Sequence, residues 1–380
     1  MLVTATVYAQ PVLKIGVLGA MSGPAKYWGL TSKYCALTTA KIYNDQGGVQ
    51  IGNRKYRIEV SSYDTRLDKD TALLGAQKLI REHGIHYLIG PNIDDTSLAI
   101  IPLLEANNVI NIAYGFNPLL FSPPRENTYL GMMHPKISAP VIYRYLKENH
   151  EVRTVAFLAR RDRESINQRN TGIQAAEKTG LEIRELEAWD ISEITYPADL
   201  QGVEALIKSY IRLEPDLVVL SGAAPLDTPK LVSLLRNNGY SGFISTETAQ
   251  EPALLLELLP GLDRFVSLGS SPGSEIHTDY MKAFAEEYKA VAGQWHDEAG
   301  VKVYALELIL RILQTAGEKA IEDIEVFKEV ADRFTIDDPF YKREQPLKLV
   351  AKAVFGHNRQ INVPLTIQIF NKGTMRSVSF

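Results

Sequence analysis

Gly269-Ser270-Ser271-Pro272-Gly273 has the G-x-S-x-G spacing of a nucleophile elbow and follows a predicted strand. In such an elbow the backbone N–H after the nucleophile donates to the developing oxyanion. Pro272 stands at that place and has no N–H to give. The five residues therefore read as a Gly/Pro crossover, not as a hydrolase site. The seven histidines (His83, His86, His134, His150, His277, His296, His357) contain no H-E-x-x-H pair. His83 and His86, three apart near a predicted helix end, read as surface residues, not metal ligands. No G-x-G-x-x-G follows a strand, and no G-K-[ST] triplet is present, so the phosphate cradles of dinucleotide and nucleotide sites are missing. Cys35, the sole cysteine, lies beside Ala36 and Leu37 in a predicted helix and reads as a small buried hydrophobe. It excludes an intrachain disulfide and a thiolate zinc site. The expectation is a protein that binds and does not catalyse, with no cofactor and no metal.

The bulk composition agrees. The chain has 380 residues, more than one core usually organises, which predicts two domains. Its net charge of −4, with Lys and Arg interspersed among acids, leaves no basic stripe for nucleic acid. No run is apolar and long enough to span a bilayer. The uncharged start, residues 1–10, ends in Val7-Tyr8-Ala9 before Gln10 and resembles the tail of a secretory signal. A disordered extension is the other reading. No cysteine follows it, so no lipid anchor is expected.

The elements that must position a binding site alternate. Strands are predicted at 13–19, 56–63, 87–90 and 109–114, with helices at 27–45, 68–84 and from Asp94 or Asp95 onward. The rhythm restarts with strands at 152–159, 181–189, 217–220 and 242–245, separated by helices at 165–178, 199–213 and 228–238. Three helical stretches follow at 277–291, 298–317 and 321–334, then a β-rich tail from Leu347. This predicts an α/β protein with two doubly wound parallel-sheet lobes.

Ligands of open α/β sheets bind beyond the carboxyl ends of the strands. The loops there are 20–28, 91–97 and 115–117 in the first unit, and 160–165, 221–227 and 246–248 in the second. Small residues in them let helix N–H groups approach a ligand, and Tyr27 and Trp28 are placed to cap it. Two such units facing one another form a clam-shell closed by hinge motion.

Three segments carry a family resemblance. They are Lys14-Ile15-Gly16-Val17-Leu18-Gly19-Ala20-Met21-Ser22-Gly23-Pro24, then Ile42-Tyr43-Asn44-Asp45-Gln46-Gly47-Gly48-Val49, then Ile89-Gly90-Pro91. In order and spacing the chain resembles, from Leu13 to the tail, the type I periplasmic solute-binding proteins that bind branched-chain amino acids for ABC importers. The resemblance implies three hinge strands, expected near 131–135, 268–273 and 353–362. The corresponding division is a signal remnant or disordered segment at 1–12, a first lobe of 13–134 plus 271–352, and a second of 135–270 plus 353–380. The resemblance also implies a monomer outside the cytoplasm, in the periplasm or secreted, that holds a small-molecule ligand and docks on a membrane permease. A ligand-sensing regulatory protein of the same fold is the alternative.

Site residues carry over in part. The acid that meets a ligand ammonium falls on Glu247, and the groups after the fourth strand fall on Gly115, Phe116 and Asn117. The serine expected to meet the ligand carboxylate falls on Asp94, beside Asp95; such a charge repels a carboxylate at close range. Two readings stand for Asp94, a helix N-cap and a ligand contact, with the hydroxyls of Thr96 and Ser97 as substitutes if it caps. Two tyrosines of the family pattern are Ser165 and Ala224 here, which predicts a roomier pocket for an aromatic or larger side chain. Arg160, Arg161 and Arg163 read as a solvated lip or as holders of an acid group, with Arg161 the candidate contact. The expected ligand is an amino acid or a related small polar or aromatic compound.

Overall fold

A computed structural model of the chain describes residues 10–121, 125–269 and 275–380. The G-x-S-x-G segment beyond Gly269, and most of the expected signal remnant, lie outside the described residues.

Apolar runs supply the strands. The chain first lays down β1 (Val12–Gly19), β2 (Val49–Ile51), β3 (Arg54–Asp64), β4 (Tyr87–Ile89), β5 (Ile110–Ala113) and β6 (Thr128–Leu130). It then forms β7 (Thr154–Arg160), β8 (Glu182–Ile183), β9 (Thr195–Tyr196), β10 (Leu217–Ser221), β11 (Phe243–Ala249) and β12 (Phe265–Leu268). Strands β13 (Thr335–Ile336), β14 (Leu347–Val350) and β15 (Gln360–Ile361) return to the first sheet, and β16 (Thr366–Asn371) and β17 (Thr374–Ser379) to the second. The first sheet runs β13-β14-β15-β6-β5-β4-β1-β3-β2, and the second β17-β16-β12-β11-β10-β7-β8, with β9 also on β7. Central pairs are parallel and the edge hairpins antiparallel.

All five residues of β10 are buried, as are the first six of β7. That is the mark of parallel strands covered on both faces. Each fully buried Val or Leu there contributes roughly 1.5–3 kcal/mol. Separate apolar cores lie on the two faces of each sheet.

The covering helices begin with α1 (Lys26–Asp45), α2 (Lys69–Arg81), α3 (Asp94–Ala106), α4 (Pro135–His150) and α5 (Arg163–Thr179). They continue with α6 (Val203–Ile211), α7 (Thr228–Asn237) and α8 (Pro252–Leu258). Helix α4 was masked in the sequence by two prolines. Pro135 suits the first helical position, and the bond lost at Pro140 is offset by burial of Ile142, Tyr143 and Leu146.

Three expectations change. The strand expected at 181–189 shrinks to Glu182–Ile183. It is an edge strand with one neighbour, and Arg184, Glu185 and Glu187 favour water over further pairing. The helix expected at 298–317 divides into Ala299–Lys302 and Tyr304–Ala316, where Lys302 turns inward. The last crossing between sheets comes later than expected. Gln360–Ile361 still pairs in the first sheet, and Thr366 opens β16 in the second.

Candidate functional site

In the first sheet the strand order reverses between β1 and β4, and in the second between β7 and β10. Those are the switch points where α/β sheets open a crevice. A small cavity, about 70 Å³, lies where the two crevices meet. The first unit contributes Trp28, Asn92, Ile93, Tyr114, Phe116, Met132 and Met133. The second contributes Arg160, Glu164, Ser165, Gln168, Gly222, Thr248 and Ala249. Glu298 and Val301, on the first unit's side, add to its wall, and Leu268, Gly269, Val363, Pro364, Leu365 and Thr366 close it at the crossing segments. The lining is mainly apolar, with a few polar groups at fixed places, the usual make-up of a small-molecule site.

Most polar groups of the second unit are already engaged. Asp162 caps α5 by accepting from Ser165 N at 2.9 Å, and also accepts from Ser165 Oγ at 2.7 Å and Arg160 Nε at 2.6 Å. The Gln168 amide accepts from Gly222 N at 2.9 Å and donates to Thr246 O at 3.2 Å. Gly222 has φ of +73°, and a Cβ there would collide with Ser165 Oγ, so only glycine lets these two loops meet.

Glu164 is different. It sits in the first turn of α5 and reaches across the cleft, where its carboxylate accepts from Asp94 N at 3.1 Å. Burial, then the neighbouring Asp94 carboxyl, push the Glu164 carboxyl well above its ordinary range. Asp94 is raised too, chiefly by burial.

Asp94 does not cap its own helix. Ile93 holds the N-cap position, and Asp94 Oδ1 accepts instead from Phe116 N at 2.8 Å and Asn117 N at 3.0 Å. It thereby clamps the loop after β5. Gly115 permits this, since a Cβ would stand 2.7 Å from Asp94 Oδ1. The substitutes for Asp94 are spent as well: Thr96 and Ser97 hydroxyls both donate to Ile93 O. Asn117 accepts from Leu119 N at 3.0 Å and does not line the cavity.

Other expected site residues lie elsewhere. Glu247 is buried, and Tyr143 donates to its Oε1. A register shift in β11 between Ser245 and Ala249 turns Thr248 and Ala249 to the cavity and Glu247 away from it. Such bulges re-aim side chains. Burial raises the Glu247 carboxyl to about 7. Ala224 joins one apolar cluster with Trp28, Ala20 and Ala25, so the room expected beside it is occupied. Tyr27 packs on His296 with ring centroids 5.1 Å apart, outside the lining. Arg161 holds Ser192 O and Thr195 O at 2.6 and 2.9 Å, and Asp95 faces Arg163 at 3.8 Å at the rim. Of the expected contacts, Trp28, Phe116 and Ser165 line the cavity.

Sequence reading passed over Glu164, Gln168, Glu298 and the Met132-Met133 pair. Glu164 has the spacing of an acid that complements its own helix dipole. Glu298 and Lys302 have that of an ordinary i, i+4 surface pair, yet Lys302 is buried, 2.9 Å from Glu298. At that end the hydroxyls of Tyr114 and Thr366 have no partner among the described residues. Among the described residues no group of three or more His, Cys, Asp or Glu is placed to hold a metal ion. No helix among them is long and apolar enough to cross a membrane.

Comparison with known proteins matches this architecture. The chain superposes on a leucine-binding protein, LivK, of Thermotoga maritima with a TM-score of 0.77, 17% identity, and 97% and 98% of the two chains covered. It superposes equally, at 15% identity, on the branched-chain amino acid transporter substrate-binding protein LivJ of Streptococcus pneumoniae, covering 97% and 99%. An ABC-transporter solute-binding protein of Rhodopseudomonas palustris gives a TM-score of 0.76 at 17% identity, covering 97% and 96%. In sequence, the leucine-specific-binding protein of Salmonella typhimurium is 29% identical over 103 residues, 27% of each chain, so the match spans about a quarter of that relative. The family described as "Periplasmic binding protein" matches residues 12–369. It is a family of binding proteins and not of enzymes, and the chain belongs to it.

Proposed function

We propose that the protein is the extracytoplasmic receptor of an ABC importer, which closes on a small solute with an apolar or aromatic body and hands it to a membrane permease. The observation that carries this reading is the cavity at the joint switch points, walled by both units and by the segments that cross between them. A solute there bridges the two lobes and shifts an open–closed equilibrium. The lobes we assign are the two sheets with their helices, hinged at 131–134, after Leu268 and at 362–365. Trp28, Phe116, Met132 and Leu268 suit a planar or branched apolar body. The LivJ relative is described in complex with isoleucine and the R. palustris relative with 3,4-dihydroxybenzoic acid, two bodies of that kind.

The test is thermal unfolding against amino acids, aromatic acids, amines and amides. A ligand at about 100 times its Kd adds roughly 2.7 kcal/mol of stability. The reading expects a shift with at least one apolar-bodied solute, which Phe116→Ala removes, and a smaller radius of gyration on binding. Shifts only with sugars or inorganic ions would sink it.

A further inference from the structure

Two hydroxyl groups at the hinge end of the cavity have nothing to bond to. Tyr114 follows β5 and is 3% exposed, and Thr366 opens β16 and is 2% exposed. Both line the cavity, and neither hydroxyl has a hydrogen-bond partner among the described residues. The Tyr114 ring lies against Gly131, where the first crossing begins: a Cβ there would stand 2.7 Å from Tyr114 Cε1. Thr366 follows the last crossing. Gln368, on the same side of β16, donates to Asp297 of the first unit at 2.8 Å. Each unit thus brings one hydroxyl to the place where the two join. Glu298 is a third polar group lining the cavity at this end. Its Oε2 accepts from Lys302 Nζ at 2.9 Å and from Thr31 Oγ1 at 3.3 Å, and Lys302 stands 4.8 Å from the Tyr114 ring centre.

Burying one hydroxyl without a partner is unfavourable, and two lining one end of a cavity make a hydrogen-bonding subsite. Charge at this end is already balanced. The Lys302 ammonium is committed to Glu298, Trp28 O and Thr31 Oγ1. A solute ammonium or carboxylate would find no counter-charge to spare, and burying an unpaired ion costs far more than burying a hydrogen-bonded polar group. A hydroxyl fits without that cost. It is the smallest neutral group that both donates and accepts, and so are the two side chains that face it. Burial holds the Tyr114 phenol well above its ordinary range, so it keeps its proton to donate. We infer that Tyr114 and Thr366 form a subsite for a neutral hydroxyl on the solute's apolar body, so that the receptor selects a hydroxylated solute over its unsubstituted counterpart. The inference rests on the proposed reading of the cleft as the solute site and narrows the solute class.

Three pairs of compounds that differ by one hydroxyl test it: benzoate and 4-hydroxybenzoate, phenylalanine and tyrosine, phenethylamine and tyramine. Their affinities for the whole protein are measured by calorimetry near neutral pH. In whichever pair binds, the hydroxylated member is expected to bind at least tenfold more tightly, since a site built to bond a hydroxyl rejects the analogue that lacks it. Tyr114→Phe and Thr366→Val keep the shape and remove one hydroxyl each, and each is expected to cut that advantage at least threefold. The unsubstituted member does not use the subsite, so its unchanged affinity checks that the variants fold. A wild-type advantage below twofold, or one unchanged within twofold in both variants, overturns the inference and leaves the receptor reading standing. Binding of none of the six overturns the apolar-bodied reading and this inference with it.

Discussion

The Lys302 ammonium lies 2.9 Å from the Glu298 carboxylate, with the lysine side chain removed from water and the glutamate nearly so. The same ammonium donates to Trp28 O and to Thr31 Oγ1, and stands 4.8 Å from the Tyr114 ring centre. One cation thus fixes a cavity wall from both ends, the carboxylate of Glu298 and the backbone of Trp28. Burial lowers the Lys302 pKa, and the Glu298 carboxylate offsets only part of that. Lys302→Met is expected to cost about 3–5 kcal/mol of unfolding free energy, since it strands a buried charge. Lys302→Met combined with Glu298→Leu should recover most of that loss in urea unfolding. A double variant no more stable than the single would show that the pair is not the source.

Two buried carboxyls predict a pH dependence. Burial raises Glu247 to about 7; burial, then the Asp297 and Glu298 charges, raise Glu251 to about 9. Tyr143 and Gln168 face Glu247, and Lys302 is the cation that opposes the acids around Glu251. A carboxyl whose folded pKa is raised favours the fold while protonated in both states, and that contribution is lost as pH climbs through the folded value. Stability is therefore expected to decline between pH 5 and pH 9. Glu247→Gln with Glu251→Gln should flatten this decline in denaturant titrations at several pH values. An equally steep decline in the double variant would assign it to other groups.

Gly222 is predicted to be irreplaceable by alanine. Its φ of +73° strains any side chain, and the Cβ would strike Ser165 Oγ. Gly222→Ala should cost roughly 1–3 kcal/mol and weaken ligand binding as the loop moves. Adding Ser165→Gly removes the collision and leaves the backbone strain, so the double variant should recover only in part. Calorimetric melting of the three variants checks this. Full tolerance of alanine would mean the two loops do not meet as described.

Closure itself can be blocked at Ala224. That residue shares an apolar cluster with Trp28, Ala20 and Ala25 of the other unit. Ala224→Trp has no room in the closed form and projects into open cleft otherwise. Affinity for any solute that stabilises the wild type should drop at least tenfold, while melting without solute shifts little. Unchanged affinity would place ligand uptake somewhere other than between these surfaces.

How much of this was legible in the sequence depended on whether an element's signal was local. The apolar run at β10 and the glycine after α5 announce themselves in a few residues, and both were placed within about a residue. The β11 bulge was not legible, because it follows from how β11 meets β12, and it moved Glu247 off the lining and Thr248 onto it. Asp94 was identified as consequential, but its partners, Phe116 and Asn117, are brought to it by the fold. Glu164 and Glu298 carried patterns shared by countless surface helices. Only the opposite wall of the cleft shows that they face inward.

The late crossing at 362–365 bears on how the molecule is made. The first sheet takes its last three strands from Thr335 to Ile361, after the whole of β7–β12 has gone into the second sheet, and the second takes its β16–β17 edge only after that. Neither lobe can be cut out as one continuous piece or exchanged with a relative at a single junction.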